Sequence, residues 1–384
     1  MNHPSIRSRG EQTGTADRRH GADLPFALLT LLLLGIGVVM VLSASFASAY
    51  YDLQGETGHD PAYFFTRQAV FAAAGVGVML LVSHIPMRTF HRFSGAVMAA
   101  AMACLAAVPF VGTVVNGARR WISLGFTTFQ PSEITKIAII LYFSALICKY
   151  KDRMRTFRFG ILPFAAILLA VAALLILEPH FSATIIIFLI GAAMLFLGGA
   201  RLGWFVGGGV LLAGGAAAAV LLVPYVADRV ASFRDPFSDP TGDGWQIVQS
   251  LYAIGSGGLT GLGLGQSRQK YLYLPEEHND FIFSVACEEL GFLGAGLILI
   301  LFAMLIVRGY RLSMRSPHRF GFLVGSGVTT MLALQILLNV AVCTSLVPCT
   351  GISLPFFSYG GTALLIQMAE AGMILSLSRE ISPA

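Results

Sequence analysis

The chain has 384 residues, of which 56% are hydrophobic and only 12% are charged, and its mean hydropathy is +0.75. A soluble protein of this length needs far more polar surface, so the composition excludes a soluble enzyme and predicts an all-α polytopic membrane protein. The net charge of +5 calls for no nucleic-acid partner, because membrane topology accounts for the distribution of basic residues.

The chain begins with a polar tail, residues 1–24, which we interpret as disordered and which lacks the pattern of a cleavable signal peptide. Residues 25–384 are predicted to form one membrane domain. Its apolar runs have about the 20 residues that a helix needs to cross ~30 Å of hydrocarbon. The ten predicted spans are roughly 25–48, 68–87, 94–113, 132–149, 160–177, 182–199, 204–226, 281–307, 320–346 and 358–378.

Between the third and fourth spans lies NGARRWISLGFTTFQPSEITK, which contains two adjacent arginines, Arg119 and Arg120, followed by Trp121. Such a triplet often anchors a chain at the membrane interface. The two arginines are equally suited to bind a phosphate in a bidentate manner. The sequence leaves both interpretations open.

The end of the same segment predicts a helix start, with Pro131 in the first turn and Glu133 where the helix dipole favours an acid. Glu133 and Lys136 are three residues apart and share a face, and Lys136 is the one basic residue assigned to a predicted span. The pair either holds helices together as a buried ion pair or lines a polar cavity that opens outward.

The longest predicted connection, residues 227–280, lies between the seventh and eighth spans. Long loops of this kind are more often functional than simple linkers. Gln246 to Ile254 is predicted to form a short amphipathic helix on the membrane surface. The Gly-rich run GSGGLTGLGLG lacks the strand–loop–helix setting and the lysine of a nucleotide loop, so nucleotide binding is rejected.

The loop ends in YLPEEHNDFIFSVACEELG, which holds Glu276, Glu277, Asp280, Glu288 and Glu289. Asp280 directly precedes an apolar run, so it is suited to cap a helix, to act as a fixed carboxylate base, or to do both. Glu288 and Glu289 lie about 12 Å further along the helix, within the bilayer. There an acid must face a partner or the bundle interior, so we expect at least one of them to make structural hydrogen bonds.

The connection between the last two spans, Val347 to Leu365, contains two prolines and three glycines. It is either a tight loop or a re-entrant wall of a binding site, since non-helical backbone at membrane depth must be buried or line a cavity. The five cysteines form no CxxC and no Cys/His cluster, so a disulfide framework or a structural zinc is not expected.

An even number of spans places both termini on one side, and 17 of the 25 basic residues fall on that side, which is therefore predicted to be cytoplasmic. The acid-rich loop then faces a compartment without nucleotide sugars. An enzyme acting there must take an activated donor from the membrane, and a lipid-linked pyrophosphate sugar fits. A carboxylate base, basic residues for the pyrophosphate and a groove for an isoprenoid chain would suffice.

Three long motifs carry a resemblance to a known family: NGARRWISLG…QPSEITK, QSLYAIGSGGLTGLGLGQSRQKYLYLPEEHNDFIFSVACEELG and TGISLPFFSYGG. With them, nearly the whole chain after residue 25 resembles the SEDS family (shape, elongation, division and sporulation proteins), and most closely its FtsW/SpoVE branch. One departure is LEPHFSAT, Leu177 to Thr184, where many relatives have QPDxGT. His180 replaces that aspartate, so no role carries over to this position.

The resemblance implies ten transmembrane helices in the bacterial cytoplasmic membrane and a peptidoglycan glycosyltransferase that polymerises lipid II into glycan strands, releasing undecaprenyl pyrophosphate. It implies a class B penicillin-binding protein (a transpeptidase) and other divisome proteins as partners. It leaves open the choice between division, elongation and sporulation, and whether a divalent cation assists; no cofactor is otherwise implied. The alternatives are a lipid II flippase and a non-catalytic scaffold for a penicillin-binding protein.

The family's essential aspartate maps onto Asp280, which is therefore the predicted catalytic base. The predicted substrate-binding residues lie within the matching motifs and are Arg119, Arg120, Glu133, Lys136, Glu276, His278 and Ser358. Among these, the basic residues are expected to stabilise the leaving group, and Glu133 to orient Lys136.

Overall fold

The computed structural model describes residues 21–52, 55, 57–115, 118–123, 125, 127–178, 180–242 and 244–381. Most of the predicted N-terminal tail, as well as Asn116 and Asp243, therefore lies outside the described residues. The helices are α1 (Leu24–Tyr51), α2 (Tyr63–Ser83), α3 (Met87–Val111), α4 (Pro131–Tyr150), α5 (Phe157–Gly160), α6 (Leu162–Leu177), α7 (Phe181–Leu197), α8 (Leu202–Leu222), α9 (Pro224–Arg234), α10 (Trp245–Ser256), α11 (Ile282–Met314), α12 (Arg319–Cys343) and α13 (Gly361–Arg379).

The described part of the chain contains nine helical segments that are long and apolar enough to cross a membrane, and α7 adds a shorter apolar helix of 17 residues. Each of the ten predicted spans overlaps one of these, which confirms an all-α polytopic membrane protein. The largest boundary errors concern α3, which begins at Met87 and so includes Arg88 and Arg92, and α11, which continues to Met314. Basic residues at helix ends extend an apolar run because their charged heads reach the interface.

A small antiparallel sheet between α3 and α4 was not predicted. Its strands are β1 (Thr113–Val115), β2 (Ala118–Ser123) and β3 (Thr128–Phe129), in the order β1-β2-β3. β3 is joined to the last helix by a hydrogen bond of 2.8 Å from the Thr362 hydroxyl to the Thr128 carbonyl. The sheet thus holds the Arg119–Arg120 segment over one end of the bundle.

Small residues set the close approach of α2 and α13. A Cβ on Gly372 would lie 2.6 Å from the Met79 carbonyl oxygen, and a Cβ on Gly75 would lie 2.8 Å from the Met368 side chain. Packing through glycine is typical of helices in lipid, where van der Waals contact replaces the hydrophobic effect as the driving force.

The long connection contains two helices, α9 and α10. The predicted helix Gln246–Ile254 is confirmed as α10, which is slightly longer and buries Ile247, Val248 and Ala253 against the bundle, where it packs on α11. Helix α8, by contrast, exposes large apolar side chains among those that are described, including Leu202, Val206 and Leu211, as expected of a span surrounded by lipid.

Both ends of the described chain lie at the same end of the bundle. The Arg308 guanidinium binds the Asp23 carboxylate at 2.5 Å, and the Asp23 amide donates to the Ser378 hydroxyl at 3.0 Å. Nearby, the Met87 amide donates to the Glu380 carboxylate at 2.8 Å. The even number of spans predicted from the sequence therefore agrees with the fold, and the segment that ends at Asp280 lies at the opposite end of α11.

Candidate active site

Asp280 lies two residues before α11 and is half-buried. The predicted helix cap is wrong: α11 begins at Ile282, its N-cap residue is Phe281, and no side-chain cap hydrogen bond is made. Asp280 is instead fixed through its backbone, because the Asn339 side-chain amide on α12 donates to the Asp280 carbonyl at 2.7 Å. The same amide donates to the Ile352 carbonyl at 2.7 Å, so it joins the Asp280 segment to the loop before α13.

The loop between α12 and α13, residues 344–360, enters the bundle. Phe356 and Phe357 are almost completely buried, and a Cβ on Gly37 would collide with the Phe356 carbonyl oxygen. Gly37 stands at the middle of α1, and Phe357 packs against Phe302 of α11 with ring centroids 5.5 Å apart. The structure therefore confirms that this connection is re-entrant rather than a simple tight loop, while its role as a wall of a binding site stays a prediction. We call residues 344–360 the re-entrant segment.

Polar side chains satisfy the backbone of the re-entrant segment inside the bundle. The Phe356 amide donates to the Gln367 side chain at 2.9 Å. Gln68 on α2 donates to the Ser358 carbonyl at 3.2 Å and accepts from the Gly360 amide at 3.3 Å. Non-helical backbone at membrane depth needs such partners, so these two glutamines explain how the segment is tolerated.

The re-entrant segment also fixes the loop that carries Asp280. The Ser358 hydroxyl donates to the Asn279 carbonyl at 2.8 Å, and the Tyr359 amide donates to the His278 carbonyl at 2.9 Å. The predicted substrate-binding role of Ser358 stays a prediction, but its hydroxyl proton is used to position the Asp280 segment.

Next to the carboxylate of Asp280 lies a residue without a side chain. A Cβ on Gly351 would be 3.1 Å from Asp280 Oδ2, and the φ angle of Gly351 is +59°. Glycine is therefore favoured twice here, by the left-handed backbone and by the lack of space beside the carboxylate.

His278 lies in an aromatic group. Its ring is 4.5 Å from that of Phe64 on α2 and 5.7 Å from that of Tyr359, and its Nδ1 is 3.4 Å from a carboxylate oxygen of Glu277. Glu276 has a φ of +56° and accepts a hydrogen bond of 2.6 Å from the Asn279 side chain, an arrangement that closes a tight turn before Asp280. Both residues are thus brought to the Asp280 loop, and their contacts with substrate stay predictions.

Glu288 and Glu289 make the structural hydrogen bonds that the sequence led us to expect. Glu288 accepts from the Ser267 hydroxyl at 2.5 Å and the Arg268 amide at 3.0 Å. Glu289 binds the Lys270 ammonium at 2.9 Å and accepts from the Ser43 hydroxyl. Both carboxylates are buried, and together they fix the Gly-rich loop on α11 and α1.

Glu133 and Lys136 form the predicted ion pair, with 2.8 Å between Nζ and Oε1 and both side chains nearly buried. A third charged residue, which was not predicted, lies in their surroundings: Glu370 of α13 is buried and interacts electrostatically with both. An acid in the last apolar span was the signal that could have found it.

The two arginines before Trp121 point in different directions, because successive side chains of a strand face opposite sides. Arg119 is exposed and donates to the Pro109 carbonyl at the end of α3 at 3.0 Å. Arg120 donates to the Glu178 carbonyl at 3.4 Å. The two guanidinium groups thus donate to different parts of the fold, and their binding of a phosphate stays a prediction.

All five cysteines are described, and none forms a disulfide. Among the described residues, no group of three or more His, Cys, Asp or Glu side chains is arranged to hold a metal ion.

Residues 24–382 match the cell cycle protein family of FtsW, RodA and SpoVE. The chain belongs to this family. Stage V sporulation protein E of Bacillus subtilis (strain 168) is 39% identical over 364 residues, which cover 94% of this chain and 98% of that protein. A probable peptidoglycan glycosyltransferase FtsW of Thioalkalivibrio sp. (strain K90mix) is 42% identical over 369 residues, covering 94% and 90% of the two chains.

Solved structures of the FtsW/RodA/SpoVE family share the fold. A chain of a peptidoglycan synthase complex, described as coordinating polymerization and crosslinking, is 29% identical, covers 93% of this chain and 98% of its own length, and has a TM-score of 0.77. The rod shape determining protein RodA of Thermus thermophilus is 27% identical, with coverages of 94% and 98% and a TM-score of 0.67. The SEDS resemblance is thereby confirmed.

Proposed function

We propose that this protein is a peptidoglycan glycosyltransferase that joins lipid II units into glycan strands. One observation carries the proposal: Asp280, a half-buried residue, is held by its backbone between α12 and the re-entrant segment, with Gly351 directly beside its carboxylate. A base must be positioned within hydrogen-bond reach of the proton that it removes, and this backbone support provides the position. The names of the FtsW relatives support the same reaction class.

The side of the membrane follows from charge. The end of the bundle where both termini meet carries most of the basic residues, so the positive-inside rule assigns it to the cytoplasm. Asp280 then faces outward, where no nucleotide sugar is available. A donor carried by the membrane itself, lipid II, meets this condition.

In the proposed reaction, the Asp280 carboxylate takes the proton of the acceptor 4-hydroxyl on N-acetylglucosamine. The oxygen attacks C1 of the donor N-acetylmuramic acid, the bond between C1 and the pyrophosphate oxygen breaks, and undecaprenyl pyrophosphate leaves with the electron pair. A single displacement inverts the anomeric centre, so one base is enough. Lys136, oriented by Glu133, is the proposed stabiliser of the leaving group, and Arg119 and Arg120 make separate contacts with it.

The proposed partner is a class B penicillin-binding protein, which would crosslink the strands, along with other divisome proteins. The support is the fold shared with a chain of a peptidoglycan synthase complex. The relatives include both SpoVE and FtsW, which fits a role in sporulation or in division.

The deciding experiment supplies lipid II to the purified protein together with its penicillin-binding protein, with the transpeptidase blocked by a β-lactam, and measures glycan strands and undecaprenyl pyrophosphate. We expect both products. Transfer of lipid II across vesicle bilayers without glycan formation would contradict the proposal and favour a flippase, and the absence of both activities would favour a scaffold.

A further inference from the structure

The loop between α6 and α7 contains two buried polar side chains that the proposed mechanism does not use. Glu178 has only 1% of its surface exposed and His180 has 8%. Both carboxylate oxygens of Glu178 and Nδ1 of His180 are buried and have no hydrogen-bond partner among the described residues. These residues belong to the Leu177 to Thr184 segment, which departs from the family pattern.

Unpaired polar atoms of this kind are costly. A buried donor or acceptor without a partner loses its hydrogen bonds to water and gains none in return, and folded proteins contain few of them. Three such atoms within one short loop therefore indicate that the loop is shaped for a polar ligand rather than for packing. Gln130 lies beside them, with its amide nitrogen 3.5 Å from His180 Nε2.

The loop borders the Asp280 site. The Ser182 hydroxyl, in the first turn of α7, donates to the Thr350 carbonyl of the re-entrant segment. The next residue along that segment is Gly351, which lies beside Asp280, since an added Cβ would be 3.1 Å from Asp280 Oδ2. The Thr350 hydroxyl oxygen is also buried without a described partner. The first turn of α7, which follows His180, is thus attached to the re-entrant segment one residue before the glycine that lies beside Asp280.

Charge determines which ligand these groups suit. Burial raises the pKa of Glu178 to about 7, although the Arg120 charge opposes the shift. Burial, together with the positive charges of Arg120 and Lys136, lowers the pKa of His180 to about 3. Near neutral pH the imidazole is therefore uncharged and Glu178 is about half protonated. Such groups both donate and accept hydrogen bonds, but a partly ionised carboxylate repels a pyrophosphate.

We propose that Glu178 and His180 form a sugar-binding subsite, which holds hydroxyl and acetamido groups of an amino sugar of lipid II next to Asp280. The subsite rests on the proposed function, since it recognises the substrate of that reaction. Hydroxyl and acetamido groups each offer a donor and an acceptor, which matches a protonated carboxyl, a neutral imidazole and the Gln130 amide. The pyrophosphate of the same lipid is left to Lys136 and the arginines.

The test measures binding, not turnover, in a protein that carries Asp280→Asn, so that substrate consumption is slow during the measurement. Two probes are compared in detergent: lipid II, and undecaprenyl pyrophosphate, which has the same lipid and pyrophosphate but no sugar. Adding Glu178→Ala and His180→Ala together should weaken lipid II binding by about tenfold or more and leave undecaprenyl pyrophosphate binding unchanged. Glu178→Gln, which keeps a donor and an acceptor, should retain most of the affinity.

The matched control is Asp60→Asn, which removes an exposed carboxylate from a loop at the same end of the bundle. It should leave the binding of both probes unchanged. Unchanged lipid II binding in the double variant, with the melting temperature preserved, would overturn the subsite, and so would an equal loss for both probes, which would assign the loop to the pyrophosphate. If lipid II fails to bind even with Glu178 and His180 intact, the proposed function itself fails.

Discussion

At the scale of single residues, the position of Asp280 depends on its backbone rather than on its side chain. The carbonyl of Asp280 is held by Asn339, and the preceding carbonyl of Asn279 is held by Ser358. A change confined to the carboxylate therefore leaves these supports intact. A substitution of this residue can thus separate an effect on catalysis from an effect on folding.

Asp280→Asn should lower lipid II polymerisation by about 10²–10⁴-fold, the usual effect of losing a general base. Its melting temperature and its binding to the partner should stay close to those of the wild type, because Asn preserves the size of the side chain and the backbone contacts. Product formation by the purified complex and thermal unfolding are measured in parallel. A folded variant that still makes strands at nearly the wild-type rate would remove Asp280 from the catalytic role.

Lys136→Ala should destabilise the protein by about 3–5 kcal/mol, because it leaves Glu133 buried without its partner, with Glu370 as a further acid nearby. The double variant Glu133→Gln, Lys136→Met contains no unpaired charge at these two positions, so most of the stability should return while polymerisation stays low. Melting temperature and product formation separate the two effects. Normal polymerisation by Lys136→Ala would show that the ammonium has no role in either.

Glu178 should make stability depend on pH. Its pKa is raised from the ordinary 4.5 to about 7 by burial, so between these values the folded chain keeps a proton that the unfolded chain has released. The free energy of unfolding therefore falls as pH rises through this window. Glu178→Gln does not titrate, and its melting temperature should fall less than that of the wild type from pH 4.5 to pH 7. Equal slopes for the two proteins would contradict the assignment.

At the scale of elements, the re-entrant segment connects the helices of the bundle to the loop that carries Asp280. It reaches the middle of α1, packs on α11, and supplies hydrogen bonds to the Asp280 loop. The Gly-rich loop is fixed separately, through Glu288 and Glu289. The two attachments hold the beginning of α11 from both sides, so the position of Asp280 depends on each of them.

Gly37→Ala tests the depth of the re-entrant segment. The added methyl group would collide with the Phe356 carbonyl oxygen, so the segment must shift, and both melting temperature and polymerisation should fall. Gly35→Ala is the matched control, because no atom lies within 4 Å of its added methyl group and alanine favours the helix by up to about 1 kcal/mol. If the two variants behave alike in unfolding and activity assays, the contact between α1 and the segment is not important.

At the scale of the whole molecule, the two ends of the bundle carry different elements. One end joins the beginning of α1 to the end of α13 through Asp23, Ser378 and Arg308. The other carries the sheet, the long loop with α9 and α10, and the Asp280 site. Under the proposed function, the second end is therefore the one where a partner would act on the reaction.

A penicillin-binding protein should raise polymerisation if it binds the ordered form of the long loop more tightly than other forms, because a ligand shifts a conformational equilibrium only through such a difference in affinity. Rates are measured with and without the partner at saturating concentrations, with Asp280→Asn as the inactive control. Equal rates per molecule in both conditions would contradict control by the partner.

Sequence alone determined the number and approximate bounds of the membrane helices, because each span must hide its backbone from lipid and leaves an apolar run of fixed length. It also paired Glu133 with Lys136, since helix geometry places residues three apart on one face. The motifs led to the family and to Asp280. All of these are local signals, readable within a few turns of chain.

Only the tertiary structure decided which distant groups meet. It joined Asn339 and Ser358 to the Asp280 backbone, although they are 59 and 79 residues away from the groups they contact. It gave Arg119 and Arg120 different hydrogen-bond partners, on a strand of a sheet that hydropathy did not reveal. It also buried Glu178 and His180 beside the re-entrant segment. Hydropathy reports how far each stretch prefers lipid, but a binding site is made by contacts across the fold, and those are set by packing.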